Sequence, residues 1–507
     1  MTPPRSRRLA FALLAMGTLA IAQTAPGQNT GLKDPFQKKE PAVSGEVRGR
    51  VNEMRDGKRP FTKGEAEDAN RKDLKNYAEF LIWRVTSKDV HSQLEPVKNE
   101  LRPLNATDKV TMHALLVDLE RFIVVPTSTT RVPPDQADYI RVFGEELDKA
   151  IAPILNPNAP DYIRVNATRM LATVAKSGAK AHAPTILKLL DPKNTRPEML
   201  FYAIRAAENL LAAYEPFSAG TATYYRHTVD DPTLFDLVRA LEEITKWEQV
   251  PFAVTGAAIK PAPAAAPVPP TPVPPTPPAL APKTAAAPAK PAMPLPPAGR
   301  IDNASDAILT SDQLGVLHYY RRAAIRALAQ VRVPIIVHPG DKGTLYPVIV
   351  LGKFAVDDAS LKFAPTPDEA AEAAIGLAGY HNFKGIEIES LLDAIAGGLV
   401  TFARAKANAP EDKTLAWKIY AARLGMALAE MRKVAANNPT LLRYSAKIDS
   451  LANIAANEIL NVIEKPVANR PPNVAAISSW KARSGDGPLT LITDDKTKIL
   501  TPQLRQN

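Results

Sequence analysis

The chain has 507 residues, 45% hydrophobic and 6% aromatic, with no cysteine and a formal net charge of +10. The missing thiols exclude disulfides, thiolate metal sites and a lipidated cysteine behind a leader. Abundant alanine with few aromatics favours helix packed on helix over sandwiches or barrels, and the length allows two or three domains.

Arg5, Arg7 and Arg8 precede an apolar run over 9–22 that ends in Ala20-Ile21-Ala22. A basic start, a short apolar stretch and a small-x-small site read as a signal peptide, with the cut expected after Ala22. The expectation is export to the periplasm or the extracellular space by the general secretory route. Ser6-Arg7-Arg8 only faintly matches a twin-arginine pattern. Losing three signal arginines takes the charge from +10 to +7. An exported chain of that charge is expected to meet a protein partner or an anionic envelope polymer rather than nucleic acid.

Residues 23–65 are rich in Lys, Glu, Gly and Pro without sustained periodicity, and read as a disordered leader. The first helix is expected over 67–87, with Leu74, Tyr77, Ala78, Leu81, Ile82 and Val85 on one face, and a second over 106–124. A loop over 127–134 is marked by Pro126, Pro133 and Pro134.

A repeat then sets in. The run Asp161-Tyr162-Ile163-Arg164-Val165-Asn166-Ala167-Thr168-Arg169-Met170-Leu171 recurs thirty-six residues on: Ile163 falls on Met199, Ala167 on Ala203, Arg169 on Arg205 and Val174 on Leu210. A third copy, Arg321-Arg322-Ala323-Ala324-Ile325-Arg326-Ala327-Leu328, puts Arg321 on Arg164 and Arg326 on Arg169. At about 100° per residue, Ile163, Ala167, Met170, Leu171 and Val174 share one apolar face and Arg169 points away from it. One helix cannot bury such a stripe alone, whereas helix pairs stacked side by side can. The Asp161–Arg164–Ala167–Leu171 pattern and the run at 321–329 resemble the second helix of a HEAT repeat, with first helices over 139–155 and 181–190. The spacing is shorter than the roughly 40–47 residues of HEAT or armadillo units, which leaves tetratricopeptide-like or irregular helical packing open.

A polar loop is expected over 218–231 and a helix over 232–249. In 261–300, sixteen of forty residues are Pro, twelve are Ala and none is acidic. Such a stretch packs no core and favours polyproline II, at about 3.1 Å per residue. It reads as a disordered insertion. Residues 333–338 and 345–351 read as a hairpin, although Pro347 weakens its second strand. Helices are expected over 368–378, 386–405, 411–436 and 440–464, the last two as an antiparallel hairpin. Their packing stripes are read as Leu415, Ile419, Ala422, Met426 and Ala429, and as Leu441, Ile448, Leu451, Ile454, Ala455 and Ile459. Residues 466–507 read as a mobile tail with strand character at 489–493.

The expected fold is therefore all-α: a HEAT-like helical-repeat array with a Pro/Ala-rich disordered insertion and a C-terminal helical hairpin. The chain divides into a signal peptide (1–22), leader (23–65), N-terminal helical-repeat domain (66–250), Pro/Ala-rich linker (251–304), C-terminal helical region (305–465) and tail (466–507).

No catalytic, cofactor or metal residue is expected. The seven histidines show no metal spacing, and no phosphate loop, nucleophile elbow or His-Glu-x-x-His occurs. Ser177–Lys180 and Ser478–Lys481 fit Ser-x-x-Lys without its companion motifs. Asp357-Asp358 reads as a solvated loop pair. Trp83, Trp247, Trp417 and Trp480 are too dispersed for a sugar platform. The candidate binding surface is a set of arginines at equivalent repeat positions, Arg164, Arg169, Arg205, Arg321 and Arg326, able to hold carboxylates or phosphates. Arg205 also stands three residues before Glu208, within reach of a local pair. These features point to an exported, non-enzymatic scaffold for a protein partner. The alternatives are an all-helical envelope enzyme acting on cell-wall polymer, and a wall tether that uses the Pro-rich stretch.

Overall fold

A computed structural model describes residues 41–61, 65–86, 112–123, 134–213, 226–228, 232–252, 309–409, 415–464 and 471–502, except 42, 339, 341, 486, 494 and 496. The signal, most of the leader, positions 106–111, the loop before Pro134 and the stretch 261–300 lie outside them.

The described residues are mostly helical. The chain opens with α1 (Gly45–Arg55), where the Ser44 hydroxyl accepts from the Val47 amide at 3.2 Å. Val47, Val51 and Met54 are buried against α2 (Glu65–Thr86). This corrects the leader reading over 45–55: three apolar residues at i, i+4 and i+7 suffice for a buried stripe, even amid charged neighbours. Then come α3 (Met112–Ile123), α4 (Pro134–Ile151), α5 (Asp161–Val174), α6 (His182–Leu190), α7 (Pro197–Ala213), β1 (Arg226–Thr228) and α8 (Pro232–Thr245). Beyond the Pro/Ala stretch lie α9 (Ser311–Leu328), β2 (Ile335–Val337), β3 (Thr344–Leu345), α10 (Pro347–Val356), α11 (Pro367–Ala378), α12 (Ile388–Asn408) and α13 (Trp417–Asn437). The chain closes with α14 (Ser445–Ala455), a π-helical turn, α15 (Asn461–Glu464), α16 (Val474–Ser478) and a hairpin of β4 (Leu489–Thr490) and β5 (Ile499–Leu500).

Helix α5 packs on α7, α7 on α9, α9 on α11 and α11 on α13. On another side, α4, α6, α8 and α10 each contact the helix that follows them, while α4 packs on α6, α6 on α8 and α10 on α12. Small residues allow this closeness. A Cβ built at Gly398 of α12 would stand 2.9 Å from the Ala370 carbonyl oxygen of α11, so a side chain there would force the two helices apart. Packing passes across the Pro/Ala stretch: α8 contacts α9, and β1 pairs in parallel with β2, which pairs antiparallel with β3. One cluster of buried apolar residues runs from Val47 to Leu500.

Four expectations change. The polar loop 218–231 holds β1. The second strand of the 333–351 hairpin ends at Leu345, because Pro347 opens α10 at a first-turn position where its missing amide costs nothing. The tail is built in: Ile477, Leu491, Ile492 and Leu500 are fully buried, and β4–β5 pack on α12 and α10. On α13 the expected stripe faces outward, with Ile419 58% and Met426 63% exposed. The larger stripe Trp417, Tyr420, Leu424, Leu428 and Met431 takes the core instead. Among the described residues no helix is long and apolar enough to cross a membrane.

Candidate functional site: a charged and aromatic ribbon across five helices

Helix α9 carries Tyr319, Tyr320, Arg321, Arg322 and Arg326, and 100° per residue sends neighbours different ways. Arg321 turns inward and is 2% exposed. Its Nε lies 3.4 Å from Glu369 Oε1, and its guanidinium lies 4.8 Å over the Phe354 ring. Burial lowers the Arg321 pKa against the pull of Glu369. Glu369, fully buried on α11, accepts the Thr366 amide at 2.8 Å through Oε2, which also sits 3.0 Å from His318 Nδ1. The helix N-terminus favours the negative charges of Asp368 and Glu369 there.

Arg322 turns outward, donates to Asp368 and lies 5.4 Å over Tyr319. Burial opposes the charge of Arg322, but Asp368 holds its pKa above the ordinary value. One turn further along α11, the buried Glu372 takes both arms of Arg423 from α13, one at 2.7 Å. Arg423 is likewise held charged against burial by this bond. Arg423 also lies 6.0 Å over Tyr420. Toward α7, Arg326 Nε donates to Glu208 at 2.8 Å, and Arg205 binds the same carboxylate. Beyond it, Arg169 of α5 lies 5.5 Å over Tyr202. Arg169 has no carboxylate partner among the described residues.

Arg169, Tyr202, Arg205, Glu208, Arg326, Tyr319, Arg322, Asp368, Glu372, Arg423 and Tyr420 thus form one ribbon over α5, α7, α9, α11 and α13. Its five arginines meet three carboxylates, a balance of +2. On α13, Ile419 and Met426 flank Arg423 at i−4 and i+3, so the ribbon ends beside exposed apolar side chains.

Of the five arginines singled out in the sequence, Arg169, Arg205 and Arg326 join the ribbon. The surface role expected of Arg164 and Arg321 is corrected, since both are buried. Arg164 sits 3.7 Å from Asp161. The reason is geometric: five helical residues separate 164 from 169 and 321 from 326, which turns each pair about 140° apart. Sequence reasoning missed Arg322, Arg423 and the three α11 carboxylates. The run Thr366-Pro367-Asp368-Glu369 has the spacing of a capping box and signals where Glu369 sits.

Other candidates have structural places. His182 is fully buried, 3.2 Å from Asp148. The Ser177 hydroxyl accepts the Ala179 amide at 3.2 Å beside Gly178, whose φ of 70° needs glycine. Asp358 corrects the solvated-loop reading: it is 4% exposed and accepts the Thr501 amide at 2.5 Å, tying β5 to the end of α10. The described residues include two shallow grooves. One, of about 330 Å³, is lined by Asn382, Lys433 and Asn438; the other, of about 430 Å³, is lined by Leu190, Pro192, Ile244 and Trp247. Neither holds the ribbon's carboxylates. No protein-family model matches the chain, and no curated protein or solved structure matches it.

Proposed function

We propose that this chain is an exported helical-repeat scaffold without catalytic activity of its own, binding a protein partner in the cell envelope through the ribbon. In this reading α4/α5, α6/α7, α8/α9 and α10/α11 are successive pairs of a HEAT-like array, and their second helices together with α13 make one broad face. The observation that carries it is the ribbon itself: helices far apart in sequence bring arginine and tyrosine into one line. Arginine and tyrosine are the residue types that anchor protein interfaces. The surplus positive charge and the exposed Ile419 and Met426 fit an acidic partner segment with an apolar anchor. The α11 carboxylates are all engaged by arginines, which leaves them no lone pair of acids for hydrolysis and weighs against an enzyme. Export rests on the basic and apolar N-terminal run.

In-cell crosslinking of the tagged full chain, beside an Arg169→Glu/Met426→Asp variant of unchanged circular dichroism, tests the reading. A partner held by the wild type and lost from the variant is the expected result. A partner held equally by both moves the site off the ribbon. If no partner is recovered, the scaffold reading falls.

A further inference from the structure

Only 6% of the chain is aromatic, yet six rings meet at one rim of the fold. Tyr202 and Phe201 of α7 lie 5.3 Å apart by centroid, and Phe201 lies 5.1 Å from Tyr319. Tyr319 is 5.5 Å from Tyr320. Trp247 and Phe252, just past α8, stand 6.2 and 6.1 Å from Tyr320. Tyr320 is buried and donates its hydroxyl to the Pro197 carbonyl at 2.7 Å, which fixes the start of α7 beneath the rings. The other five are only partly covered. Trp247 also lines the groove of about 430 Å³ between the C-terminal ends of α6 and α8, together with Leu187, Leu190, Pro192, Ala240 and Ile244.

The described chain ends on this rim before the Pro/Ala-rich stretch and resumes at the N-terminal end of α9. Phe252, the last described residue before it, sits on the rings. Thr310, which caps α9 in a reciprocal pair with Gln313, stands ten residues from Tyr320, about 15 Å along the helix. The stretch offers what such a surface takes. Sixteen prolines favour polyproline II, whose rings pack on flat Trp and Tyr faces with little ordering entropy left to lose. At about 3.1 Å per residue it spans the rim several times over. Its ionisable groups are Lys283, Lys290 and Arg300, with no acid. The groove edge carries Asp191 and Glu243 beside Lys188, and Glu243 pairs with Lys246 at 2.7 Å. Being tethered at both ends gives it an effective concentration of about millimolar.

We propose that residues 261–300 of this same chain dock in polyproline II form along Trp247 and the groove between α6 and α8. The rim is then occupied in cis, next to the Tyr202–Tyr319 section of the ribbon. This inference does not depend on the scaffold reading: the docked stretch is the chain's own, and its binding is read without any partner.

The test compares the full chain with one in which 261–300 is replaced by an equally long Gly/Ser sequence. A synthetic 261–300 peptide is titrated into each while tryptophan emission is followed. The replaced chain is expected to respond saturably and the intact chain at least tenfold more weakly, because its rim is filled. Equal responses would mean the rim is open to outside proline-rich segments, and no response in either would mean it binds none; both overturn the proposal. Limited trypsin cleavage after Lys283 and Arg300 gives a second readout. Cleavage should run at least fivefold faster in Trp247→Ala and also in a chain whose stretch carries Pro→Ser changes with Trp247 intact. The second variant leaves the folded helices untouched, so an unchanged rate there counts against docking even if Trp247→Ala unfolds.

Discussion

On α5, Arg164 reaches only Asp161, one turn back on its own helix, and Arg169 lies over a tyrosine ring of α7. On α9 the repeat-equivalent Arg321 and Arg326 cross to other helices, one to Glu369 of α11 and one to Glu208 of α7. The backbone position is the same and the neighbour decides the use. Next to α5, α7 presents Tyr202 to Arg169, and its Asn209 donates to the Ala172 carbonyl at 2.6 Å. Next to α9, the first turn of α11 presents Asp368 and Glu369, and the arginines become ties between helices. An arginine on such a helix can therefore serve two ends, and only the partner helix tells which applies.

Paired substitutions test this contrast. Glu369→Ala would strand the Arg321 charge in the core and free the Thr366 amide, and is expected to cost about 3–5 kcal/mol in urea unfolding. Asp161→Ala, its α5 counterpart, has an exposed carboxylate and should cost less than about 1 kcal/mol. Equal losses would erase the distinction between the two helices.

Glu242 sharpens it from the other side. It is 6% exposed on α8, its Oε1 has no hydrogen-bond partner, and burial raises its pKa to about 7. A carboxylate whose folded pKa is raised favours the fold while protonated. Its contribution is full below the unfolded value of 4.5 and is lost as pH rises through about 7. Glu242→Gln should thus match the wild type near pH 4.5 and exceed it by up to about 3 kcal/mol at pH 8. A difference that does not change with pH would show that Glu242 finds a cation as Glu369 does.

The smallest effect belongs to the ribbon's surface. A double-mutant cycle of Arg326→Ala with Glu208→Gln should give a coupling of about 0.5–1 kcal/mol, given the part-exposed arginine. Arg169→Ala with Tyr202→Leu should give about 0.5 kcal/mol. A larger value for the second pair would reverse the ranking of the two helices.

Some of this was legible in the residues alone. The apolar face Ile163–Ala167–Met170–Leu171–Val174 has one period and one partner side, so helix and burial followed from spacing. Arg205 with Glu208 was a local pair within reach of the sequence. Helix α13 was misread because it carries two apolar stripes, and only the tertiary context selects Trp417 and Tyr420 over Ile419 and Met426. The tail was misread because β4 and β5 are two residues each, too short for any period to register. Glu369 lies far along the chain from Arg321, and nothing in either local sequence announces the other. Asp358 looked like half of an exposed pair because its partner, the Thr501 amide, comes from the very end of the chain.

The seam between α8 and α9 has one more consequence. These helices touch, and β1 pairs with β2, although sixty-five residues lie between Thr245 and Ser311. The entropy of closing such a loop rises only by about 0.6 kcal/mol for each doubling of its length. Docking apart, the fold is thus nearly blind to how long this connection is. Changes in the length of this connection are therefore expected to leave the contact between α8 and α9 in place.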